Sequence, residues 1–434
     1  VSVTVKPSAV SLVSPSGTPK LSACLIVRNE AARLPRCLSS LSGVADELIV
    51  VDTGSTDDTV AIASGYKAKI VREAWQEDFS KARNAALAAA TGDWVISIDA
   101  DEWLSKASRS ALKQALAKPD VRAYKLTLVN HLDGGRQDRE LLTRLFRRDP
   151  RVHWRGRIHE QVTESLAEIL EHPSEWREAP NVVLEHDGYL RTILNEKKKG
   201  ERNRRLLDLA VEEAPGDPYL RYKLSRELSG ADSLAHLEAA LATLLSWSVE
   251  RLRVQPWAEQ ALINGALALS CAERPAVVEQ ITATSRDAFG DHPALYLACA
   301  RAQLRLGRPG EALATASVGT SEVTSGPDFD RAQLRAELEL CAAQAERTLG
   351  DFDAAHRRLT QLRKTHPEFG AATHGLIELA IAAKDYKNAL RLALTRLREH
   401  PSDATALSLS AVVAERVGDV EAAARWRRSS TVTP

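Results

Sequence analysis

The pattern of apolar residues changes near residue 190, and this change requires two parts with different architectures. Before it, short apolar runs rich in β-branched residues alternate with stretches of helical spacing, which is typical of a sheet covered by helices. After it, Ala, Leu, Arg and Glu dominate at helical spacing and strand patterns disappear. We therefore predict a flexible tail over residues 1–20, an α/β domain over 21–190 and an all-α domain over 191–434.

The composition of the 434 residues excludes several broad classes of protein. A hydrophobic content of 44% with 27% charged residues is that of an ordinary globular chain. Because 58 Lys and Arg balance 58 Asp and Glu, no overall charge attracts nucleic acid or an anionic membrane. No apolar run approaches the roughly 20 residues of a transmembrane helix, and the first residues lack the pattern of a secretion signal. Five cysteines without a CxxC pair favour a reducing, cytoplasmic compartment.

Each predicted strand of the first part ends in polar residues. The strands are predicted over 21–27, 46–52 and 67–73, with a fourth in the apolar run WVISI at 94–98. Ligands of open α/β sheets bind at the carboxyl ends of the strands. The residues at three of these ends are Arg28, Asn29 and Glu30, then Asp52, then Asp99, Asp101 and Glu102.

The triplet Asp99-Ala100-Asp101 directly follows the fourth strand. Its two carboxylates emerge on one side of the sheet edge and offer only oxygen ligands. Such ligands suit a hard divalent ion, Mn²⁺ or Mg²⁺, which retains water and binds a substrate diphosphate. A DxD triplet alone is frequent by chance, but its position after a buried strand favours a metal site.

The second part contains a sequence repeat. Gly350, Lys384 and Gly418 are spaced at intervals of 34 residues, and Pro367 and Pro401 are also 34 apart. This pattern of turn residue, apolar residue, Ala and closing Pro resembles the tetratricopeptide repeat. Helix pairs of this kind stack into a solenoid with a concave binding or dimerisation surface. A role as a spacer or stabilising cap is the alternative.

Four ordered segments of the first part carry a family resemblance. They are LSACLIVRNEAARLPRCLSSL, DELIVVDTGSTDDTVAIA, DFSKARNAAL and GDWVISIDADEWL. Together they resemble the family 2 glycosyltransferases of the GT-A fold, a Rossmann-like nucleotide-diphospho-sugar transferase fold. The later segments LLTRLFRR, WRGRIHEQV and EHDGY resemble the branch in which helical repeats follow the catalytic domain. This branch includes bacteriocin S-glycosyltransferases, which act on peptide cysteines.

The resemblance implies roles for the residues at the strand ends. Glu30 and Asp52 would hold the ribose and uracil of the nucleotide, and Arg83 would contact the base or the diphosphate. Asp101 would bind the metal directly, with Asp99 at the ribose or at a water-mediated metal position. Two structural alternatives stay open: Asp52 can form an Asx turn before residues 53–55, and Arg83 can be an exposed helix arginine.

The later part of the domain is expected to supply a metal ligand and a general base. His186 is the first candidate for the histidine ligand of the metal, and His159 competes with it. Glu160 is the first candidate for the base, although the common acidic pair of the family is missing here. Glu102 and then Asp187 are the next candidates for the base.

Aromatic and basic residues complete the expected site. Trp154 and Trp103 can stack on a sugar, and Arg144 or Arg147 can neutralise a diphosphate. The alternative is that LLTRLF is a strand that exposes its arginines to solvent.

The resemblance implies inverting, metal-dependent transfer of a sugar from a nucleotide sugar, with a UDP-sugar as the expected donor. The acceptor would be a glycan, a lipid-linked saccharide or a peptide or protein side chain, and the repeats would recruit it or build a homodimer. The rival function is a non-catalytic repeat scaffold with a vestigial nucleotide-sugar-binding domain. Intact nucleotide acids and an intact DxD triplet favour the enzyme. The absence of a Gly-rich loop after the first strand argues against a nucleotidyltransferase.

Overall fold

The structure of the protein is a computed structural model. It describes residues 18–132, 137–187, 199–255, 257–272, 274–322 and 331–431. Contacts between residues divide the chain into two compact units, Val1–Pro215 and Gly216–Pro434. The predicted boundary at residue 190 and most of the predicted tail lie outside the described residues, so these domain limits stay predictions.

The first unit is built around one mixed sheet. Its described strands are β1 (Leu21–Val27), β2 (Glu47–Asp52), β3 (Lys69–Arg72), β4 (Trp94–Ser97), β5 (Glu102–Leu104), β6 (Ala123–His131), β7 (Gln137–Arg147) and β8 (Trp176–His186). Their order across the sheet is β3-β2-β1-β4-β7-β6-β8-β5. The first four strands in this order are parallel, and β7 joins them in antiparallel orientation. The β4 and β5 strands are close in sequence but have three strands between them in the sheet.

Helices cover both faces of this sheet. They are α1 (Leu34–Leu41), α2 (Thr59–Gly65), α3 (Phe79–Ala89), α4 (Ser108–Leu116), α5 (Thr163–Ala167) and α6 (Lys199–Glu213). Alternate residues of β1 enter two different cores because successive side chains of a strand point to opposite faces. Leu25 packs in the core that contains Leu38 of α1, and Cys24 packs in the core that contains Ala86 of α3. Burial on both faces explains the continuous apolar runs, and the predicted α/β fold is confirmed.

The sequence predicts an N-cap at Ser55 or Thr56 for the second helix and a closing Gly92 for the third, and both predictions are wrong. The α2 helix starts at Thr59 after Asp58, so neither Ser55 nor Thr56 caps it. Instead, Ser55 Oγ accepts a hydrogen bond from the backbone N–H of Asn29 at 3.0 Å.

Gly92 does not close α3, which ends at Ala89. A Cβ atom at Gly92 would lie 2.7 Å from Ser22 Oγ and 2.9 Å from the carbonyl oxygen of Lys20. This glycine is therefore required by close packing against the chain around β1.

In the second unit, every regular element that the structure describes is a helix. The helices are α7 (Pro218–Glu227), α8 (Gly230–Leu244), α9 (Val249–Arg253), α10 (Ala258–Cys271), α11 (Pro275–Phe289), α12 (Pro293–Arg305), α13 (Pro309–Glu322), α14 (Arg331–Thr348), α15 (Phe352–Thr365), α16 (Gly370–Ala382), α17 (Tyr386–Glu399), α18 (Ala404–Arg416) and α19 (Val420–Thr431). Consecutive helices pack against each other and bury mainly Leu and Ala. Within the described ranges of the whole chain, no helix is long and apolar enough to cross a bilayer.

The period of 34 residues corresponds to a turn between two helices. Gly350, Lys384 and Gly418 have φ angles of +87°, +59° and +84°, in the left-handed region that ends helices. The next residue is an Asp each time, and its side chain accepts a backbone hydrogen bond from the first turn of the following helix. These capping residues are Asp351, Asp385 and Asp419. The sequence repeat is thus a repeated helix stop followed by a helix start.

Candidate functional site

The candidate site lies at the edge of the sheet where β1, β2 and β4 end. Val27 and Asp52 are partners in the parallel register of β1 and β2. The chain leaves β4 with the N–H of Ile98 donating to the carbonyl of Cys24 at 3.1 Å. The residues that follow these strands therefore share one edge of the sheet, as expected for the ligand site of an open α/β fold.

Glu30 and Asp52, the predicted nucleotide acids, are both held in place at this edge. Glu30 Oε2 lies 3.4 Å from Nη1 of Arg33, and the backbone N–H of Glu30 donates to Thr59 Oγ1 at 2.8 Å. Asp52 is buried, and its Oδ1 accepts a hydrogen bond from the N–H of Ser55 at 3.0 Å. This bond spans three residues, whereas an Asx turn spans two, so Asp52 holds the loop over 53–55 by a longer local bond. The nucleotide roles of both acids stay predictions.

Arg83 is the central side chain of the site. It stands on α3 and is only 7% exposed, so its interpretation as an exposed helix arginine is wrong. Its Nη1 donates to Ser97 Oγ at 2.9 Å and its Nη2 to Asp99 Oδ1 at 2.9 Å. Its Nε donates to Glu160 Oε1 at 2.5 Å. All three nitrogens of the guanidinium are thus engaged with protein oxygens.

Arg144 holds the same acidic segment from the other side. It lies on β7, where its Nη2 donates to Asp99 Oδ2 at 3.2 Å and to Glu102 Oε1 at 2.9 Å. Glu102 is 2% exposed, and its Oε2 accepts the backbone N–H of Asp99 at 3.0 Å. The strand alternative, in which Arg144 only faces solvent, is therefore wrong. Because Glu102 is buried, its carboxylate is also separated from any sugar acceptor at the surface.

The two arginines control the ionisation of the cluster. Burial opposes the charged form of Asp99, but the guanidiniums of Arg83 and Arg144 outweigh it and hold the pKa of Asp99 well below its usual range. Burial likewise opposes the charge of Arg83, yet Asp99 and Glu160 raise its pKa. For Glu102, burial dominates and raises the pKa despite the contact with Arg144. Both oxygens of Asp99 accept hydrogen bonds from arginine, so this acid anchors the two guanidiniums.

Asp101 faces His186 across the site. The two side chains approach to 3.8 Å between Asp101 Oδ2 and His186 Nε2. His186 Nδ1 lies 2.7 Å from Oδ1 of Asn130, its neighbour in the register of β6 and β8. Because an amide oxygen only accepts, Nδ1 carries the hydrogen, and Nε2 is the ring nitrogen that lies toward Asp101.

The carboxylate of Asp101 and the imidazole of His186 fit a divalent ion that keeps open coordination positions for a ligand. A carboxylate and an oriented imidazole are usual ligands of Mn²⁺. Over the described ranges no group of three His, Cys, Asp or Glu side chains forms a complete cage. Burial lowers the pKa of His186, but its interaction with Asp101 outweighs burial and raises that pKa.

His159 and Glu160 lie in a tight loop that is attached to α3. The loop is closed by paired backbone hydrogen bonds between Arg155 and Gln161, both 2.9 Å. The N–H of Phe79, the first residue of α3, donates to the carbonyl of Arg157 at 2.8 Å. This attachment places Glu160 beside Arg83. The structure thus brings His186 to Asp101 and places His159 next to Glu160.

Two tryptophans predicted to stack on a sugar are covered by protein. Trp154 is buried, with the guanidinium carbon of Arg83 4.9 Å from its ring centroid. Trp103 lies between Arg36, at 3.6 Å, and the parallel ring of His131, at 5.8 Å. Neither position supports sugar stacking.

Arg147, the alternative diphosphate residue, is also distant from the site. It pairs with Trp94 at the start of β4, and its Nε donates to the carbonyl of Val121 at 2.8 Å. The base candidate Asp187 forms an ion pair with Arg36.

Three supporting residues were missed by the sequence analysis. Asn84 exchanges two hydrogen bonds with the backbone of Trp154, at 2.8 and 3.0 Å, and so joins α3 to the chain before Glu160. Ser97 accepts from Arg83, and Asn130 orients His186. A polar residue in an otherwise apolar strand is a signal for such roles, and Ser97 in WVIS gives that signal.

Comparison with known families identifies both parts. Residues 22–166 match the profile of glycosyl transferase family 2, and residues 347–413 match that of the tetratricopeptide repeat. Residues 22–166 therefore form a family 2 glycosyltransferase domain of the GT-A fold, and tetratricopeptide repeats follow it over residues 347–413. The resemblance drawn from the sequence is confirmed.

Individual relatives share only part of their length with this chain. A TPR repeat-containing protein of Synechococcus elongatus is 41% identical over 207 residues, 47% of this chain and 51% of that protein. The SPbeta prophage-derived glycosyltransferase SunS of Bacillus subtilis is 30% identical over 234 residues, 51% of this chain and 52% of that protein. The chain thus spans about half the length of these curated relatives.

A solved structure with similarity to this chain is glucosyl-3-phosphoglycerate synthase from Mycobacterium tuberculosis, in complex with Mn²⁺, uridine-diphosphate and glucosyl-3-phosphoglycerate. It is 28% identical, covers 27% of this chain and 45% of that chain, and has a TM-score of 0.22.

Proposed function

We propose that the first unit transfers a sugar from a nucleotide sugar, most simply a UDP-sugar, in an inverting reaction that depends on Mn²⁺ or Mg²⁺. The observation that carries this proposal is the geometry of Asp101 and His186. A carboxylate and an oriented imidazole face each other, 3.8 Å apart, at the ligand-binding edge of the sheet. The match of residues 22–166 to glycosyl transferase family 2 supports the same reaction class.

The nucleotide is bound by Glu30 and Asp52 in this proposal. Carboxylate oxygens accept hydrogen bonds from ribose hydroxyls and from a pyrimidine N–H. Ser55 uses only Oδ1 of Asp52. Over the described ranges, no hydrogen bond to Oδ2 of Asp52 is formed by protein groups, so this oxygen is available to the nucleotide.

Asp101 and His186 would hold the metal in this reaction. When bound, it supplies positive charge that stabilises the departing diphosphate. Asn130 keeps the imidazole of His186 oriented for this role. Arg83 and Arg144 fix Asp99 and thereby the backbone that leads to Asp101.

Glu160 is the proposed general base. The acceptor hydroxyl or thiol gives its proton to Glu160, and its electron pair forms the bond to the anomeric carbon. The bond from that carbon to the diphosphate breaks, and its electron pair leaves with the diphosphate. Arg83 occupies Oε1 of Glu160, while among the described residues no protein group donates to Oε2. Oε2 is therefore the oxygen that receives the proton.

The acceptor class is proposed from the second unit. A groove of about 190 Å³ lies among α14, α15, α16 and α18, with Leu340, Ala343, His374 and Glu378 in its lining. A groove between stacked helix pairs suits an extended peptide, so the repeats favour a peptide or protein side chain over a glycan or lipid-linked saccharide. The repeats recruit this acceptor or form a homodimer.

A nucleotide-sugar hydrolysis screen tests this function without knowledge of the acceptor. Purified full-length protein is incubated with Mn²⁺ and a panel of UDP-, GDP- and dTDP-sugars, and the released nucleotide is measured. We expect slow release of UDP from at least one UDP-sugar, lost on chelation and in Asp101→Asn. An absence of both hydrolysis and binding across the panel would contradict the proposal.

A further inference from the structure

Helix α6 is attached to the chain segments that surround Arg83 and Glu160. Arg205 forms an ion pair at 2.5 Å with Glu77, just before α3. Glu213 accepts from Nε of Arg157, in the loop that carries Glu160, at 2.7 Å. Both bonds lie within the first unit, which includes α6. Arg205 and Glu213 of this helix thus bond to residues before α3 and in the loop of Glu160.

This attachment brings Arg202 to the candidate site. Its guanidinium carbon lies 5.2 Å from the ring centroid of Phe79, the first residue of α3. Within the described ranges, its Nε and Nη2 donate to Oδ1 of Asn203 alone, at 3.3 and 3.0 Å. The charged groups that act on it are Arg28, Glu160 and Glu30, all of which belong to the candidate site.

Arg28 is a second cation at the same place. It is the first residue after β1 and is exposed. In the part of the chain that the structure describes, no carboxylate lies within 4.0 Å of the guanidinium of Arg28 or of Arg202. Although Arg202 is also exposed as a whole residue, surrounding protein atoms and the charge of Arg28 lower its pKa. Two arginines without an acidic partner would be stabilised by a shared anion.

The other arginines of the site are already engaged. Arg83 uses its three nitrogens on Glu160, Ser97 and Asp99. Arg144 is paired with two carboxylates. A donor diphosphate therefore needs cations other than these two.

We propose that Arg202, together with Arg28, binds the diphosphate of the nucleotide donor, so that α6 is part of the donor site. This inference rests on the proposed function, since it assigns ligands to the same donor. It makes Arg202 a specificity residue for nucleoside diphosphates over nucleosides.

Calorimetric titration of the full-length protein with UDP and with uridine, each in the presence of Mn²⁺, tests the assignment. Arg202→Gln should weaken UDP binding about 10-fold or more, because a charge-assisted hydrogen bond to phosphate is lost. Its affinity for uridine should stay unchanged. Arg28→Gln should show the same selective loss. Arg204→Gln is the matched control, since Arg204 stands on the same helix and, among the residues that the structure describes, forms its ion pair with Asp208, 3.9 Å away.

The outcomes separate this inference from the proposed function. If the parent binds UDP and Arg202→Gln binds it equally well, the assignment of Arg202 is overturned and the proposed function stands. If Arg202→Gln loses uridine and UDP alike, Arg202 acts on the fold of the site, which also overturns the assignment. If the parent binds neither ligand, the proposed function fails, and the inference fails with it. Circular dichroism of each variant checks that its helix content equals that of the parent.

Discussion

Replacing Arg83 by Met tests whether the buried ion cluster stabilises the first unit. The substitution keeps most of the volume of the side chain but removes all three of its hydrogen bonds. Asp99 retains Arg144, so the main loss falls on Glu160, whose side chain is 10% exposed and has no second ion pair among the described residues.

The magnitude follows from this geometry. Removing one partner of a fully buried ion pair costs about 3–5 kcal/mol, because the remaining charge stays desolvated. The side chain of Asp99 is 31% exposed, and water there reduces the penalty. We therefore expect the free energy of unfolding of the first unit to fall by about 3 kcal/mol, at the lower end of that range.

Hydrogen exchange measured by mass spectrometry reports this change for the first unit alone. Peptides that cover β1 and β4 exchange through unfolding of the sheet, so their protection gives its free energy even when the second unit unfolds separately. Arg72→Met is the matched control, since Arg72 is exposed on β3 and should change the free energy by no more than about 0.5 kcal/mol. Arg83→Lys should restore part of the loss. A loss below about 1 kcal/mol in Arg83→Met would show that the cluster does not stabilise the sheet.

Four further results are expected. Asp101→Ala should abolish Mn²⁺-dependent UDP binding in calorimetry while the circular dichroism spectrum stays that of the parent; equal UDP affinity in variant and parent would contradict the metal site. Glu160→Gln should keep UDP binding and lower transfer by about 100-fold or more, and full turnover would exclude it as the base. Lys384→Gly should raise the stability of the repeats by about 1 kcal/mol in urea unfolding, because it removes a non-glycine residue at φ +59°; a decrease would contradict this. Three hydrogen bonds outweigh burial and lower the pKa of Asp403 from 3.8 to about 2, so its stabilisation, on the order of 2 kcal/mol, is present above pH 4 and lost as the pH falls toward 2. Asp403→Asn should therefore lower protection of α18 from hydrogen exchange at pH 7 and approach the parent near pH 2.

The sequence was sufficient to predict those features that depend on residues close together in the chain. The apolar runs predicted β1 over its observed bounds, and the polar residues after β1, β2 and β4 predicted the edge at which the site lies. These predictions succeed because strand burial is written into consecutive residues. The 34-residue spacing likewise reflects a local event, a left-handed residue followed by a capping Asp.

The partners of the site residues are what the sequence could not supply. Arg83 and Asp99 are 16 residues apart, Arg144 and Asp99 are 45 apart, and Asn130 and His186 are 56 apart. An arginine in a helix or strand pattern is equally consistent with solvent exposure and with a buried ion pair. Only the order of the strands decides between them.

The short connection between β4 and β5 has a consequence for how the site responds to its ligand. Only residues 98–101 link these strands, although three other strands separate them in the sheet. The DxD triplet lies within this link, and the pairing of Glu102 with His186 fixes its far end. Strands hold this segment at both ends, so its conformational entropy is lost during folding. Little further entropy is lost when the ligand binds. Insertions at this point would lengthen the link and should weaken donor binding even where both aspartates are retained.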